Sequence, residues 1–332
     1  MLYGIADGNT VQFGVNASGN WRPMFRGTAA FKTHLAPEVR ARLVQAYVSA
    51  SQPERVPRQM TGVPAINYVG DADLCSRALA RIAQLVDMLG SPCFNHPEAV
   101  ARTTRDALPR ALRDVPGLLL PRVERIHAGS ARDLAQRIEA LGLRYPLLLR
   151  VPGTQTGQTV HKVDAPEALD AATYSMPIGK QGVYATEFID FRDDDGLYRK
   201  MRLVVVGGEV FIRHWIVAPG WSIHSADRSG TESAEERRVL DGFPASLPVD
   251  LRHAALAIAD ALGLDYFGID CSLRADGRLL IFEANPAMNI LDPHWKGPNG
   301  HWEKRLADMR AALSRLLLDP ARWRRSIAAR PA

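Results

Sequence analysis

The chain has few of the features that mark an exported, membrane-bound or metal-scaffolded protein. Its three cysteines, Cys75, Cys93 and Cys271, are odd in number and scattered over 332 residues. That excludes a disulfide framework and the paired spacing of a zinc site, and fits small core residues in a reducing compartment. No apolar run approaches the roughly 20 residues that span a bilayer. The first residues, MLYGIADGNTVQFG, lack the basic-then-apolar order of a secretory signal. The expectation is a cytoplasmic protein with no membrane partner. No two histidines stand four apart, so a zinc-binding helix is not expected. No Gly-x-x-x-x-Gly-Lys-Ser/Thr or Gly-x-Gly-x-x-Gly loop occurs, and no serine or cysteine sits in a nucleophile elbow. Charge of one sign is also scarce: 41 Lys and Arg against 36 Asp and Glu leave a net +5. Without a long basic block, nucleic acid is not an expected partner. The end, ARWRRSIAARPA, reads as a short solvated tail.

What is present is an ordinary globular composition, 46% hydrophobic and 23% charged, sufficient for two or three subdomains. Helical and extended patterns alternate, which predicts an α/β (α+β) fold. SRALARIAQLVDMLG is an amphipathic helix with Leu79, Ile82, Leu85, Val86 and Leu89 on one side and Gly90 as its stop. PEVRARLVQAYVSA reads as a helix, LLLPRVERI as a strand interrupted by Pro121, and ARDLAQRIEALG as a helix. YPLLLRVPG reads as a buried strand entering the glycine-containing loop GTQTGQ. Asp164 and Glu167 have capping-box spacing ahead of ALDAATY. GVYATEFIDF is a strand, and DLRHAALAIADALG a helix stopped by Gly263. GWSIHSADRSGTESAEERRVLDG is a long polar loop.

The stretch IDCSLRADGRLLIFEANP places polar groups inside an apolar ribbon. A two-residue turn at Asp276-Gly277 sets Asp270 opposite Glu283, and Asn285 falls on the same face. Directly opposed carboxylates repel, and apolar surroundings strengthen the repulsion unless a proton or cation intervenes. Hard oxygen donors suit Mg²⁺; the alternative is an edge hairpin with its carboxylates in water. A second ribbon, YRKMRLVVVGGEVFIRHWIV, turns at Gly207-Gly208. That register sets Arg202 opposite Arg213, with Lys200 and Trp215 on the same face and Met201, Leu203, Val205, Val210 and Ile212 on the other. Clustered cations suit a phosphate or carboxylate, or else form a solvated basic face. His214, Trp215, Trp221 and His224 line a substrate pocket or anchor a loop.

FGIDCSL…LLIFEANPAMN resembles the metal-binding segment of the ATP-grasp superfamily, and in particular its carboxylate–amine ligases of the ribosomal-protein-glutamate-ligase and glutathione-synthetase type. The resemblance spans roughly residues 62–320 in element order. It implies an ATP-grasp fold, two β-rich subdomains clasping ATP. It divides the chain into an N-terminal α/β domain (1–95), an N-terminal grasp subdomain (96–182), a C-terminal grasp subdomain (183–320) and the tail (321–332). By position, Asp270, Glu283 and Asn285 bind Mg²⁺. YATEFIDF is similar to the adenine hinge and places Glu187, Phe188, Ile189 and Asp190 at the base. Arg150, Gly153 and Gly157 belong to the phosphate loop, and Lys200, Arg202 and Arg213 contact phosphates and the activated substrate. Two positions depart from the pattern. Arg150 stands where many members have lysine, and Ala107 occupies a second lysine place, with Arg105 the nearest cation.

The implied activity is ATP-dependent ligation. A small-molecule or peptide carboxylate becomes an acylphosphate, an amine displaces the phosphate, and ADP is released; a homodimer is also implied. The alternatives are an ATP-grasp phosphotransferase and a non-catalytic nucleotide-binding scaffold.

Overall fold

The computed structural model describes residues 1–15, 18–49, 58–154, 160–174, 176–223, 233–246, 249–292 and 301–324. The chain opens with β1 (Leu2–Gly4), followed by an antiparallel ribbon of β2 (Gln12–Val15) and β3 (Trp21–Met24). The run expected as one helix from Pro37 forms only one turn, α1 (Pro37–Arg40), and returns as β4 (Ala46–Val48), parallel to β1. The correction has a physical cause. Pairing with β1 satisfies the backbone of the Ala-Tyr-Val run, and such tertiary pairing overrides weak helix propensity.

β5 (Ala65–Ile66) is joined to its parallel partner β6 (Cys93–Phe94) through α2 (Ser76–Leu89). Leu79, Ile82, Leu85 and Val86 of α2 are buried, and Gly90 adopts φ 58°, the left-handed cap that ends the helix where expected. Two short helices follow, α3 (Pro97–Ala101) and α4 (Leu108–Leu112). Pro121 then separates β7 (Leu118–Leu119) from β8 (Val123–Ile126), and the two pieces enter different sheets.

The smaller lobe contains α5 (Ala131–Ala140), β9 (Leu147–Arg150), β10 (Val160–Val163), α6 (Leu169–Thr173), α7 (Ile178–Gln181) and β11 (Val183–Glu187). Its antiparallel sheet runs β10-β9-β11-β8. Leu134, Ile138 and Leu169 pack on Leu147, Leu149 and Ala185 beneath it. The boundary expected at 182/183 is corrected here: β11 is an inner strand of this sheet, paired to both β8 and β9. The capping box is also corrected. Ala165 precedes the turn without a side-chain cap, and the Asp164 carboxylate accepts from Lys162 at 2.7 Å instead.

The larger sheet is built from β12 (Tyr198–Val206), β13 (Glu209–Ala218), β14 (Tyr266–Leu273) and β15 (Leu279–Asn285), after α8 (Ala234–Gly242) and α9 (Val249–Leu262) intervene. Its order is β13-β12-β14-β15-β7, antiparallel except for the last pair. Met201, Leu203, Val205, Phe267 and Ile269 face the core that includes Leu251, Ile258 and Leu262 of α9. Val204, Val206 and Tyr266 face Leu313 and Leu316 of α10 (His301–Leu317). Lys200 and Arg202 share the face of Val204 but stand beyond that cover, where the two lobes meet over a cavity. Among the described residues, no helix is long and apolar enough to cross a membrane.

Candidate functional site

Asp270 pairs with Glu283, the relationship expected from the sequence, but two departures produce it. The turn holds three residues, 275–277: Leu273 pairs with Leu279, the Arg274 N–H donates to the Arg278 carbonyl at 2.8 Å, the Gly277 N–H donates to the Arg274 carbonyl at 2.9 Å, and Gly277 has φ 81°. A β-bulge between Asp270 and Cys271 then restores the register, so Cys271 faces Ile281 and Asp270 faces Glu283. A three-residue loop plus one bulge gives the same pairing as a two-residue loop without one. Asn285 lies opposite Gly268, and its amide nitrogen donates to Glu283 Oε1 at 3.0 Å. Its Oδ1 accepts the Ala287 N–H at 2.6 Å.

The carboxylates do not simply repel, because the two ribbons are neighbours. Arg202 is directly opposite Asp270 across the β12–β14 pairing. Its Nε donates to Asp270 Oδ1 at 2.6 Å and its Nη2 to Oδ2 at 2.9 Å, while Lys200 Nζ lies 2.8 Å from Oδ2. Burial alone would raise the Asp270 carboxyl; the Arg202 and Lys200 charges overcome it and hold the group far below the usual carboxylate range. Arg105 Nη2 lies 3.0 Å from Glu283. Burial likewise disfavours the charged form of Glu283, but Arg105 and Arg150 outweigh it and lower the group. Arg150 itself is brought down to about 10, first by burial and then by Arg105. Arg105 thus brings a cation to Glu283, while Ala107 stands uncharged just before α4.

The basic ribbon differs from expectation. Strands β12 and β13 keep the Gly207-Gly208 register as far as Leu203 opposite Ile212, and a bulge follows. Arg202 thus faces His214, and Arg213 is the extra residue. Trp215 pairs with Met201 and joins the core face. Arg213 is buried, and its guanidinium donates to the carbonyls of Ile290 and Asp292 at 2.8 and 2.9 Å. Arg310 donates to Leu291 O at 2.8 Å and Arg202 to Asn289 O at 3.4 Å. Arg213 is thus one of three guanidinium groups bracing the turn that follows β15, not the partner of Arg202.

Between the sheets lies a cavity of about 690 Å³, a size typical of small-molecule sites. Leu120, Val123, Leu148, Ile216 and Phe282 give it apolar walls, and Arg105, Arg150, Lys200, Arg202, Asp270, Glu283 and Asn285 form its charged end. Glu187, Phe188 and Ile189 line it as expected. However, the Glu187 carboxylate is held by Arg144, at 3.0 and 3.2 Å, and the N–H groups of Glu187 and Phe188 already donate to the Arg122 and Pro146 carbonyls. Phe188 meets Trp221 edge-on at 5.8 Å and lies under Lys162. Asp190 turns to Arg192 and does not line the cavity. Gly157 and His224 lie outside the described residues, as does the end of the basic tail, 325–332.

A second, small cavity of about 30 Å³ shares Arg105, Arg150, Glu283 and Asn285 with the first and is closed by residues the sequence did not single out. Asp71 and Asp73 come from the turn after β5, Thr104 from the α3–α4 segment, and Tyr184 from β11. The Tyr184 hydroxyl donates to Asp73 at 2.6 Å, and Arg125 bonds both groups. Gly153, at φ 69°, closes the cavity so tightly that a Cβ there would lie 2.6 Å from Leu74 Cδ2. The acidic turn GDADL follows the carboxyl end of β5, the end of a strand at which open α/β sheets bind ligands, and that was its available signal. His214, facing Arg202, has no comparable signal, because the bulge that turns it inward leaves no sequence mark.

A family model described as RimK-like ATP-grasp domain matches residues 120–292. Comparison with curated proteins gives no match. The chain is similar in structure to D-alanine–D-alanine ligase from Bacillus anthracis complexed with ATP, with TM-score 0.54 and 14% identity over 96% of this chain and 94% of that one. It is similar to a RimK domain ATP-grasp protein from Sphaerobacter thermophilus, with TM-score 0.51 and 17% identity over 96% and 99%. It is also similar to D-alanyl-alanine synthetase A from Vibrio cholerae, with TM-score 0.51 and 12% identity over 87% and 91%. At these identities the likeness establishes the fold, an ATP-grasp fold.

Proposed function

The chain belongs to the RimK-like ATP-grasp domain family, and from that premise we propose that it is an ATP- and Mg²⁺-dependent ligase joining a carboxylate to an amine. The observation that carries this reading is the facing of Asp270 and Glu283 at one end of an apolar cavity, with Arg105, Arg150, Lys200 and Arg202 around them.

The donor set fits a hard cation. Mg²⁺ takes one or two carboxylates and completes its shell with water and phosphate oxygens. Among the described residues no group of three or more His, Cys, Asp and Glu side chains is arranged to hold a metal ion, and the Asp270–Glu283 pair suits a metal brought in with a polyphosphate. Asp270 and Glu283 would hold it. Asn285 is the weaker ligand, since its Oδ1 already accepts from Ala287. When bound, Mg²⁺-ATP would supply the γ-phosphoryl group that turns a carboxylate into an acylphosphate, from which an attacking amine would displace phosphate.

The chain's own contribution is charge and enclosure. Arg105, Arg150, Lys200 and Arg202, which all line the cavity, offset phosphate charge. Leu120, Val123, Leu148, Phe188 and Ile216 accept an aromatic base. The small cavity beside Glu283, walled by Asp71, Asp73 and Thr104, has room for about one or two waters and not for a substrate. Enclosure between the two sheets keeps water from the activated acyl group.

The competing reading, a nucleotide-binding protein without turnover, draws on the closure of Asp270 by Lys200 and Arg202. One experiment separates the two. Pooled amino acids, peptides and other carboxylates are incubated with Mg²⁺-ATP and amines, with ADP release and new condensation products read by mass spectrometry. Ligation gives ADP, phosphate and an amide in equal amounts. Tight ATP binding with no ADP under any mixture overturns the proposal.

A further inference from the structure

The smaller sheet turns Leu147, Leu149 and Ala185 toward its own helices, so the alternate residues of its strands face the rest of the molecule. There the register sets three side chains in a row across β8, β11 and β9: Arg125, Tyr184 and Arg150. This row meets the turn that follows β5. Tyr184, 1% exposed, donates its hydroxyl proton to Asp73 Oδ1 at 2.6 Å, and Arg125 bonds the same oxygen. The Arg125 guanidinium also lies over the Tyr184 ring, 4.7 Å from its centroid. Burial and then the Asp73 charge push the Tyr184 hydroxyl well above its ordinary range, so it keeps its proton and remains a donor. Asp106 lies 3.3 Å from that hydroxyl and 3.7 Å from Arg125.

The turn is braced from within and touches the larger sheet as well. Asp71 Oδ1 accepts the N–H groups of Asp73 and Leu74 at 2.9 and 3.0 Å, and the Leu74 carbonyl accepts that of Asp7 at 2.8 Å. A Cβ on Gly70 would lie 2.8 Å from the Ala287 nitrogen, just past Asn285, and one on Gly153 would lie 2.6 Å from Leu74. A single turn, 70–74, therefore touches both the loop after Arg150 and the segment after Glu283 and Asn285.

We infer that Asp73 is a positioning residue: by holding Tyr184 and Arg125 it fixes the smaller lobe, and Arg150 with it, against the Asp270–Glu283 end of the cavity. The inference rests on the function proposed above only for what Arg150 meets there, a phosphate. The smaller lobe has a core of its own, and small polar contacts between such units do not by themselves prevent relative motion. Bonds to a charged acceptor are stronger than neutral ones, so the Asp73 carboxylate gives this contact its hold. The lobe is then set in place before the nucleotide arrives, and less of the binding free energy goes into ordering it.

The test reads lobe position separately from turnover. Met88 on α2 and Tyr174 just after α6 are 67 and 94% exposed, and the native cysteines are buried. Nitroxide labels on Met88→Cys and Tyr174→Cys, read by pulsed electron paramagnetic resonance, report the distance between the N-terminal segment and the lobe. In the labelled parent chain the distance distribution is narrow with or without Mg²⁺-ATP. Asp73→Asn and Tyr184→Phe each broaden it, and Mg²⁺-ATP narrows it again. Calorimetry gives an ATP Kd raised about tenfold by Asp73→Asn and about threefold by Tyr184→Phe. The two together give less than the product of the single effects, because both act on one bond. At saturating ATP kcat changes less than about twofold, since the contact adds to binding and not to the chemical step. Distances as sharp in both variants as in the parent overturn the inference even where ligation is found. So does broadening without loss of ATP affinity, or a loss of kcat with distance and affinity unchanged, which makes Asp73 a contact of the reacting groups. Broadened distances and weakened ATP binding in a chain that releases no ADP from any mixture uphold the inference and remove the ligase reading alone.

Discussion

Arg202 stands directly across from Asp270 and grips both oxygens of its carboxylate, at 2.6 and 2.9 Å. The carboxylate most exposed to repulsion from Glu283 is therefore already neutralised inside the protein. A bare cation gains little there, because it must displace two chain cations. A nucleotide changes the balance, since its phosphates draw Lys200 and Arg202 and free Asp270 for the metal. Thermal unfolding midpoints should accordingly rise much more with Mg²⁺ and ATP together than the sum of their separate effects. Strong stabilisation by Mg²⁺ alone would show that Asp270 is not closed in this way.

Glu283→Gln keeps the hydrogen-bonding shape of the side chain but removes one of two metal-binding charges. Turnover measured by ADP release should fall at least 100-fold, equivalent to about 2.7 kcal/mol of lost transition-state stabilisation, while the far-ultraviolet dichroism is retained. A variant within a few-fold of wild type would remove Glu283 from the metal site.

Arg213→Ala should act on stability before it acts on chemistry. The substitution leaves the Ile290 and Asp292 carbonyls without these donors, and each buried unsatisfied group costs about 1–3 kcal/mol. An unfolding free energy from urea titration lowered by about 2–4 kcal/mol is expected, with Arg213→Lys recovering part of it. Unchanged stability combined with lost coupling of the two substrates would instead make Arg213 a substrate contact.

Gly153→Ala places a Cβ against Leu74 and asks for a left-handed backbone at φ 69°, a conformation that costs a non-glycine residue on the order of 1 kcal/mol. The loop should shift away from Arg150, weakening ATP binding about fivefold to tenfold for each kcal/mol or so lost, with little change in melting temperature. Leu74→Ala in the same chain should restore part of the affinity. A titration showing wild-type affinity in the single variant would mean the loop does not contact phosphate.

Asp265 gives a pH dependence with a definite sign. It is fully buried and accepts the N–H groups of Asn95 and Arg324, and burial raises its carboxyl to about 6. The unfolded chain ionises near pH 4, whereas the folded chain holds the proton longer. Its stabilising effect is thus present in acid and is lost as pH rises from about 4 to 6, by up to ~3 kcal/mol. Asp265→Asn removes the titration, so the stability advantage of wild type over variant should shrink across that window. A constant difference in urea midpoints from pH 4 to 7 would refute the assignment.

Much of the architecture was legible because it is written in local periodicity. α2 and its Gly90 stop and the strands of both ribbons follow from patterns shorter than 20 residues. Errors arose where a neighbour far along the chain decided the outcome. Ala46–Val48 became a strand because β1 was there to pair with it. Val183–Glu187 entered the smaller sheet because β8 and β9 flank it. Asp164 took Lys162 in place of a helix cap.

By itself the sequence determined which polar side chains would stand inside an apolar ribbon, and its two-residue turn led to the facing of Asp270 and Glu283, which the chain reaches instead by a longer turn and a bulge. Only the tertiary structure decided what surrounds them. Arg105 reaches Glu283 and Arg150 lends it charge from separate elements, Asp73 and Tyr184 meet across 111 residues of chain, and one bulge turned Arg213 away and His214 inward. Bulges and long-range packing are settled by the fit of surfaces distant in sequence, and no local pattern records that fit.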